Sequence, residues 1–315
     1  MDRRRKISVA ALSVASNAFL IILKLLVGIV TGSVSVVSEA IHSGIDLIAA
    51  VIALLAVRVS GKPADTEHPF GHGKIENISG VIEALLIFVA AGWILYEAVH
   101  KLMHPKPLDA PAIGVAVMLV SAALNVVISK MLFRVGRQTG SIALQADAWH
   151  HRTDVYTSAG VMAALATITA GGWLWPKANL LWIDPVAAIG VAVLILRAAY
   201  DLTRQSLYDL LDVSLPAEET QTIVGILEGL SPKVCRYHKL RTRKSGAMRF
   251  VEFHMQVHPR LSVEESHALV HEVIARIHEH FPESHISAHV EPCEGCPACK
   301  PAGQAQQEAS QPSRP

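Results

Sequence analysis

Six apolar segments, each about 20 residues or longer, dominate this chain and limit it to a helical membrane architecture. They run roughly over Ile7–Val30, Val34–Val57, Ile78–Val99, Ile113–Phe133, Ile142–Ala170 and Leu181–Tyr200. A bilayer core offers no water to unpaired backbone groups, so segments of this length predict helices whose backbone bonds close internally. Composition agrees: of 315 residues, 51% are hydrophobic and only 17% charged. Mean hydropathy is +0.36. A formal net charge of +1 gives no electrostatic case for nucleic acid. The apolar run after Arg3, Arg4, Arg5 and Lys6 is too long for a signal-peptide core, and no cleavable leader is expected. Those four basic residues, with Arg58, Lys62, Lys74, Arg134 and Arg137, fall on one side of the spans. Lys101, Lys106 and Lys177 fall on the other. By the positive-inside rule both termini are cytoplasmic.

Two of the segments carry ionisable pairs of identical spacing: His42 with Asp46 in SEAIHSGID, and His150 with Asp154 in AWHHRTD. An ionisable group inside a span costs several kcal/mol, roughly 2.5–3.5 by insertion scales, so it marks a functional site by default. Positions i and i+4 share a helix face. Each pair therefore presents one imidazole and one carboxylate to a common point. Two such helices supply four N and O ligands, the set a tetrahedral zinc site accepts. Isolated polar contacts that lock helix packing are the plainer reading; two matched pairs on separate spans favour the metal site. With neutral histidines that site has two negative charges. One divalent cation or two protons cancel them equally well, so metal and protons compete. Asp147 and His151 form a second pair one turn apart, which leaves His150 or His151 as the fourth ligand; the repeated spacing favours His150. Glu39, Asp147 and His151 are expected around the site or along its access path.

Three further groups have metal-ligand chemistry. Asp65, His68 and His72 lie in ADTEHPFGHGKIE, a loop between the second and third spans where Pro69 and Gly71 argue against regular helix. Nine of the 16 histidines fall between His238 and His289. Among them His238, His254, His267 and His289, with Glu291, occupy four predicted elements and predict a metal site. His258, His271, His278, His280 and His285 have no claim from spacing. Cys293, Cys296 and Cys299 form a Cys-x-x-Cys-x-x-Cys clip, better suited to metal than to disulfides and consistent with a reducing compartment.

Composition shifts after about residue 205. The organisation expected is a six-span membrane domain over 1–205, a small α+β cytoplasmic domain over 206–292, and a cysteine-containing disordered tail over 293–315. Within the middle part, Glu218 to Leu230 reads as helix. Tyr237–Arg243 and Met248–His258 read as strands around a Lys244-Ser245-Gly246 turn. Ser262 to Glu265 reads as a capping box that opens a helix to Phe281, and His285–Glu291 as a last strand.

SEAIHSGID, HPFGHGKIE, QADAWHHRTD, the Ile183-Asp184-Pro185 triplet and the HKLRTRKSG turn together resemble the cation diffusion facilitator family of divalent metal transporters, over nearly all of the chain up to Glu291. The resemblance implies a mainly α protein: a six-helix membrane bundle followed by a ferredoxin-like, metallochaperone-like cytoplasmic domain. It implies a homodimer in a plasma or prokaryotic inner membrane that exports Zn2+ or a similar cation by proton antiport. The cation is then both substrate and regulator, with no organic cofactor and no nucleic-acid partner. It puts the transport site on His42, Asp46, His150 and Asp154, and a loop site on Asp65, His68 and His72. It puts a binuclear cytoplasmic site on His238, His254, His267, His289 and Glu291, and a charge interlock on Lys74 and Asp212. Bacterial relatives often have aspartate where this chain has His42. Two imidazoles make the site softer, which favours zinc over manganese or iron. Glu291 replaces a frequent aspartate.

Two other classes remain to be weighed. A histidine-box membrane metalloenzyme needs several complete boxes at one membrane face, and His68-x-x-x-His72 with His150-His151 falls short of that. A membrane-tethered metal sensor accounts for the soluble part but not for ligands inside the spans.

Overall fold

The structure is a computed structural model that describes residues 2–32, 34–104, 112–174 and 182–293. The chain divides into two compact units after Leu210. The first holds six long helices: α1 (Asp2–Thr31), α2 (Val34–Ser60), α3 (Lys74–Met103), α4 (Ala112–Thr139), α5 (Ile142–Leu174) and α6 (Ile183–Leu210). Each runs beyond the apolar segment that announced it, because helical hydrogen bonding continues into the polar interface where hydropathy no longer marks it. The break expected after residue 205 falls inside α6, whose last turns still bury Ser206 against the bundle.

Five of the six are long and apolar enough to cross a membrane; α5 is the exception. Its position explains why. α5 packs against α2, α3, α4 and α6. It contributes Ala143, Leu144 and Ala148 to one apolar cluster with Val9, Leu54, Val57, Ile128 and Leu132. It contributes Ala146 to another with Ala84, Ile87, Ala91, Ile195 and Ala199. Surrounded by protein, α5 can hold Asp147, His150, His151 and Asp154 without turning them to lipid. The outer helices do the reverse and expose Ile22, Leu26, Ile29, Leu55, Leu85 and Val89. Small residues set the close contacts between helices. At Gly80 of α3, a Cβ would lie 2.5 Å from Ser206 Oγ of α6 and 2.9 Å from Ile142 Cγ2 of α5.

The end of the bundle where α3 and α5 begin is tied by one buried carboxylate. Glu76, 1% exposed, accepts from Lys6 Nζ at 2.8 Å and from Ser60 Oγ at 2.7 Å. Ser141 Oγ donates to its other oxygen. Three helices and the residue just before α5 thus share a single acid.

The second unit runs α7 (Ala217–Glu228), β1 (Val234–Ser245), β2 (Met248–Val257), α8 (Val263–His280) and β3 (Ser284–Pro292). The sheet order is β1-β2-β3. β1 and β2 form an antiparallel hairpin, turned at Gly246 with φ +59°, a conformation cheap only for glycine. β2 and β3 are parallel, joined through α8. Ser262 caps α8 with the reciprocal Glu265 contact of a capping box. In β2, Val251, Phe253, Met255 and Val257 are buried against Ile223 and Leu227 of α7 and Leu269, Val273 and Ile277 of α8. The alternating residues occupy the other face of the sheet. Cys293 belongs to this folded unit and not to the tail: it is 4% exposed, and its N–H donates to Val257 O at 2.8 Å. Cys296 and Cys299 lie outside the described residues.

Candidate metal sites

α2 and α5 bring their pairs together. His42, Asp46 and Asp154 each offer one ligand atom, and these atoms lie within 4.8 Å of one another. His150 Nε2 stands 3.0 Å from Asp46 Oδ1. Asp46 and His150 are buried, and His42 is exposed. The helical geometry is sufficient cause: each pair spans one turn of its own helix, and α2 packs on α5.

Of the two adjacent histidines, His150 is the one at Asp46. His151 is fully buried and engaged at both ring nitrogens. Nδ1 lies 3.0 Å from Asn125 Oδ1 of α4, and Nε2 lies 2.9 Å from Ser13 Oγ of α1. With the amide oxygen accepting, Nδ1 has the proton and Ser13 donates to Nε2, a tautomer read from the network. Asn125 Nδ2 then donates to Asp154 Oδ2 at 3.3 Å. His151 therefore orients Asp154 through Asn125. Glu39 accepts from Lys24 Nζ at 3.3 Å, and the same ammonium donates to Ser43 Oγ at 2.8 Å.

The loop triad also converges. Ligand atoms of Asp65, His68 and His72 lie within 4.8 Å of one another. Asp65 Oδ1 accepts from the His68 and Glu67 backbone N–H groups at 2.7 and 3.1 Å. The His68 backbone bond is the main reason its carboxyl lies below the usual carboxylate range. His72 Nε2 is 3.3 Å from Asp65 Oδ2.

In the second unit, strand register does the assembly. His238 of β1 pairs with His254 of β2, which pairs with His289 of β3. Three imidazoles thus form a row across the polar face. Glu291 follows His289 by two residues, hence on the same face. Its Oε1 is 2.7 Å from His254 Nδ1, and its Oε2 is 3.2 Å from His238 Nε2. His289 Nε2 is 3.8 Å from Oε1. The His254 hydrogen bond is the main cause that holds the Glu291 carboxyl below its ordinary value. His267 is not part of this row. It sits on α8 in the helical layer, with its Nε2 3.0 Å from that of His271. Spacing alone did not single out His271.

Lys74 and Asp212 belong to different units. Lys74 Nζ donates to Leu210 O at 3.3 Å, and Asp212 Oδ1 accepts from Arg243 Nη1 at 3.4 Å. Sequence reading passed over two acids inside α3, Glu76 and Glu83, both essentially unexposed. The signal was available for Glu83: it is an ionisable residue in the middle of ISGVIEALLIF.

Apolar helices that enclose imidazoles and carboxylates, followed by an α+β unit with a histidine row, define an integral membrane protein that handles cations. Comparison supplies the family. The description "Cation efflux transmembrane domain" matches residues 10–211, and "Cation efflux protein, cytoplasmic domain" matches 215–293. The transporter sll1263 of Synechocystis sp. is 38% identical over 285 residues, which is 90% of this chain and 90% of that protein. The cation-efflux pump FieF of Citrobacter koseri is 32% identical over 294 residues, 93% of this chain and 95% of that protein. Among solved structures, the metal-bound C-terminal domain of the CzcD transporter from Thermotoga maritima is 26% identical. The match covers 24% of this chain and 87% of that one, with a TM-score of 0.23. The chain belongs to the cation diffusion facilitator family of divalent metal efflux transporters.

Proposed function

We propose that this protein exports zinc from the cytoplasm in exchange for protons, as a secondary active antiporter, with His42, Asp46, His150 and Asp154 as the transport site. The observation that carries this reading is the meeting of the α2 and α5 pairs inside the membrane unit, with His150 Nε2 3.0 Å from Asp46 Oδ1. Two carboxylates match one divalent cation in charge, and two imidazoles bias the site toward zinc over harder cations. Protons and metal compete for the same lone pairs, so alternate exposure of the site exchanges one for the other.

The remaining groups take supporting roles. Asp65, His68 and His72 hold a cation in the cytoplasmic loop. His238, His254, His289 and Glu291 hold regulatory zinc on the sheet face. His267 completes that site from the second copy of a homodimer, since α8 and the polar face lie on opposite sides of the sheet within one protomer. Both termini face the cytoplasm across a bacterial inner membrane.

Zinc uptake into sealed proteoliposomes under an imposed pH gradient tests the reading. Accumulation that collapses when the gradient is dissipated supports antiport. Accumulation indifferent to the gradient overturns it, and no accumulation at all overturns transport of zinc.

A further inference from the structure

The outward side of α8 has an imidazole pair that the histidine row does not use. Leu269, Val273 and Ile277 direct the apolar stripe of α8 into the core of the second unit. His267 and His271 are exposed on the other side of the helix, one turn apart. Their Nε2 atoms are 3.0 Å apart, with ring centroids at 4.5 Å and ring planes at 76°. Among the described residues each ring has the other as its hydrogen-bond partner, and no carboxylate, hydroxyl or backbone carbonyl is bonded to either. Ala275, one turn beyond His271, is exposed and adds no bulk over the pair.

Two neutral imidazoles meet in this way when one Nε2 has the proton and donates it to the lone pair of the other. Transfer of that proton to Nδ1 of the same ring leaves two Nε2 lone pairs aimed at one point. Zn–N bonds of about 2.0–2.1 Å at a tetrahedral angle need nitrogens roughly 3.3 Å apart. The rings therefore have to open by only a few tenths of an ångström, a small change in side-chain torsion. We propose that His267 and His271 together chelate one divalent cation on α8, of the class that imidazole prefers: zinc, copper or nickel. The pair is at the surface, so water fills the remaining positions around the ion. The chelate is complete within one protomer and rests on neither the transport reading nor the dimer. Where a second copy brings its sheet face to His267, the same ion takes its further ligands from that face in place of water.

The test uses the full chain in lipid nanodiscs, dialysed to equilibrium against zinc alone. A His254→Ala/Glu291→Ala background removes the ligands at the centre of the histidine row, and either His271→Ala or His267→Ala is added to it. Each triple variant is expected to hold one zinc fewer per protomer than the background. Each should also lose the same part of the zinc-dependent rise in melting temperature, since an ion that binds only the folded state stabilises it. Equal zinc content in all three overturns the chelate and leaves a hydrogen-bonded histidine pair. A loss with His267→Ala alone overturns it too, because His267 then binds zinc without His271. If the background melts below the wild-type chain, wild type is compared with His271→Ala instead: lost zinc supports the chelate, and unchanged zinc overturns it.

Discussion

His150 Nε2 and Asp46 Oδ1 lie 3.0 Å apart across α5 and α2, although 104 residues separate them in sequence. Asp46 is buried against His150 and close to His42 and Asp154. Asp46→Ala should therefore reduce zinc transport in proteoliposomes by more than about a hundredfold, since loss of even an outer-shell partner costs 10–100-fold. Its melting temperature should stay near that of the wild type. Transport at the native rate would show that the metal crosses elsewhere.

His42 bears on selectivity. His42→Asp replaces an imidazole by a hard carboxylate and adds a negative charge. In a competition assay the variant should shift from zinc toward manganese or iron. An unchanged order of preference would mean that His42, exposed on the protomer, does not touch the transported ion.

Glu76 bears on stability. With Lys6, Ser60 and Ser141 all directed at it, Glu76→Ala leaves a buried ammonium unpaired. Removal of one partner of a buried pair costs about 3–5 kcal/mol, whereas replacement of both by apolar groups is often neutral. The single variant should melt well below wild type in detergent, and Lys6→Met/Glu76→Leu should recover most of the loss. Equal melting of single and double variants would contradict this.

Glu219 bears on acid stability of the cytoplasmic unit. Arg249 donates to it through Nε and Nη2, at 2.7 and 2.8 Å, and this pairing is the first cause that holds the Glu219 carboxyl below its usual range. A depressed folded-state value means stability that is fully present above the unfolded carboxyl value of about 4.3 and is lost as pH falls through the lower folded value. The pair is part-buried at the surface, with 22% and 27% of the two side chains exposed, and solvent screening holds the effect to about 1 kcal/mol or less. Glu219→Gln should be less stable than wild type at neutral pH, and hydrogen exchange in β1–β3 should show the difference closing below about pH 4. A gap that persists at low pH would assign it to packing.

Local pattern made much of the architecture legible. Apolar length announced five of the six helices outright, and α5 in spite of the polar residues in its first half; period-two alternation from Val251 to Val257 announced β2. The helix start at Ser262 was written in the capping box. The i and i+4 spacing put His42 with Asp46 and His150 with Asp154 on single helix faces before any tertiary contact was known. Less legible were features that depend on what comes alongside. Whether His150 or His151 meets Asp46 turns on Ser13 of α1 and Asn125 of α4, which occupy both nitrogens of His151. The placement of His267 away from the histidine row follows from α8 covering the face opposite to it.

Spans, strand and spacing are properties of a few neighbouring residues, bound by backbone periods of 3.6 and 2, so the amino-acid order alone determined them. Which buried acids receive a donor was decided only when helices packed. Glu76 found Lys6 and two serines, while Glu83, two turns further along the same helix, found none among the described residues. That difference arises from side chains contributed by α1, α2 and the residue just before α5, whose approach is set by packing across the bundle and not by anything adjacent in the chain.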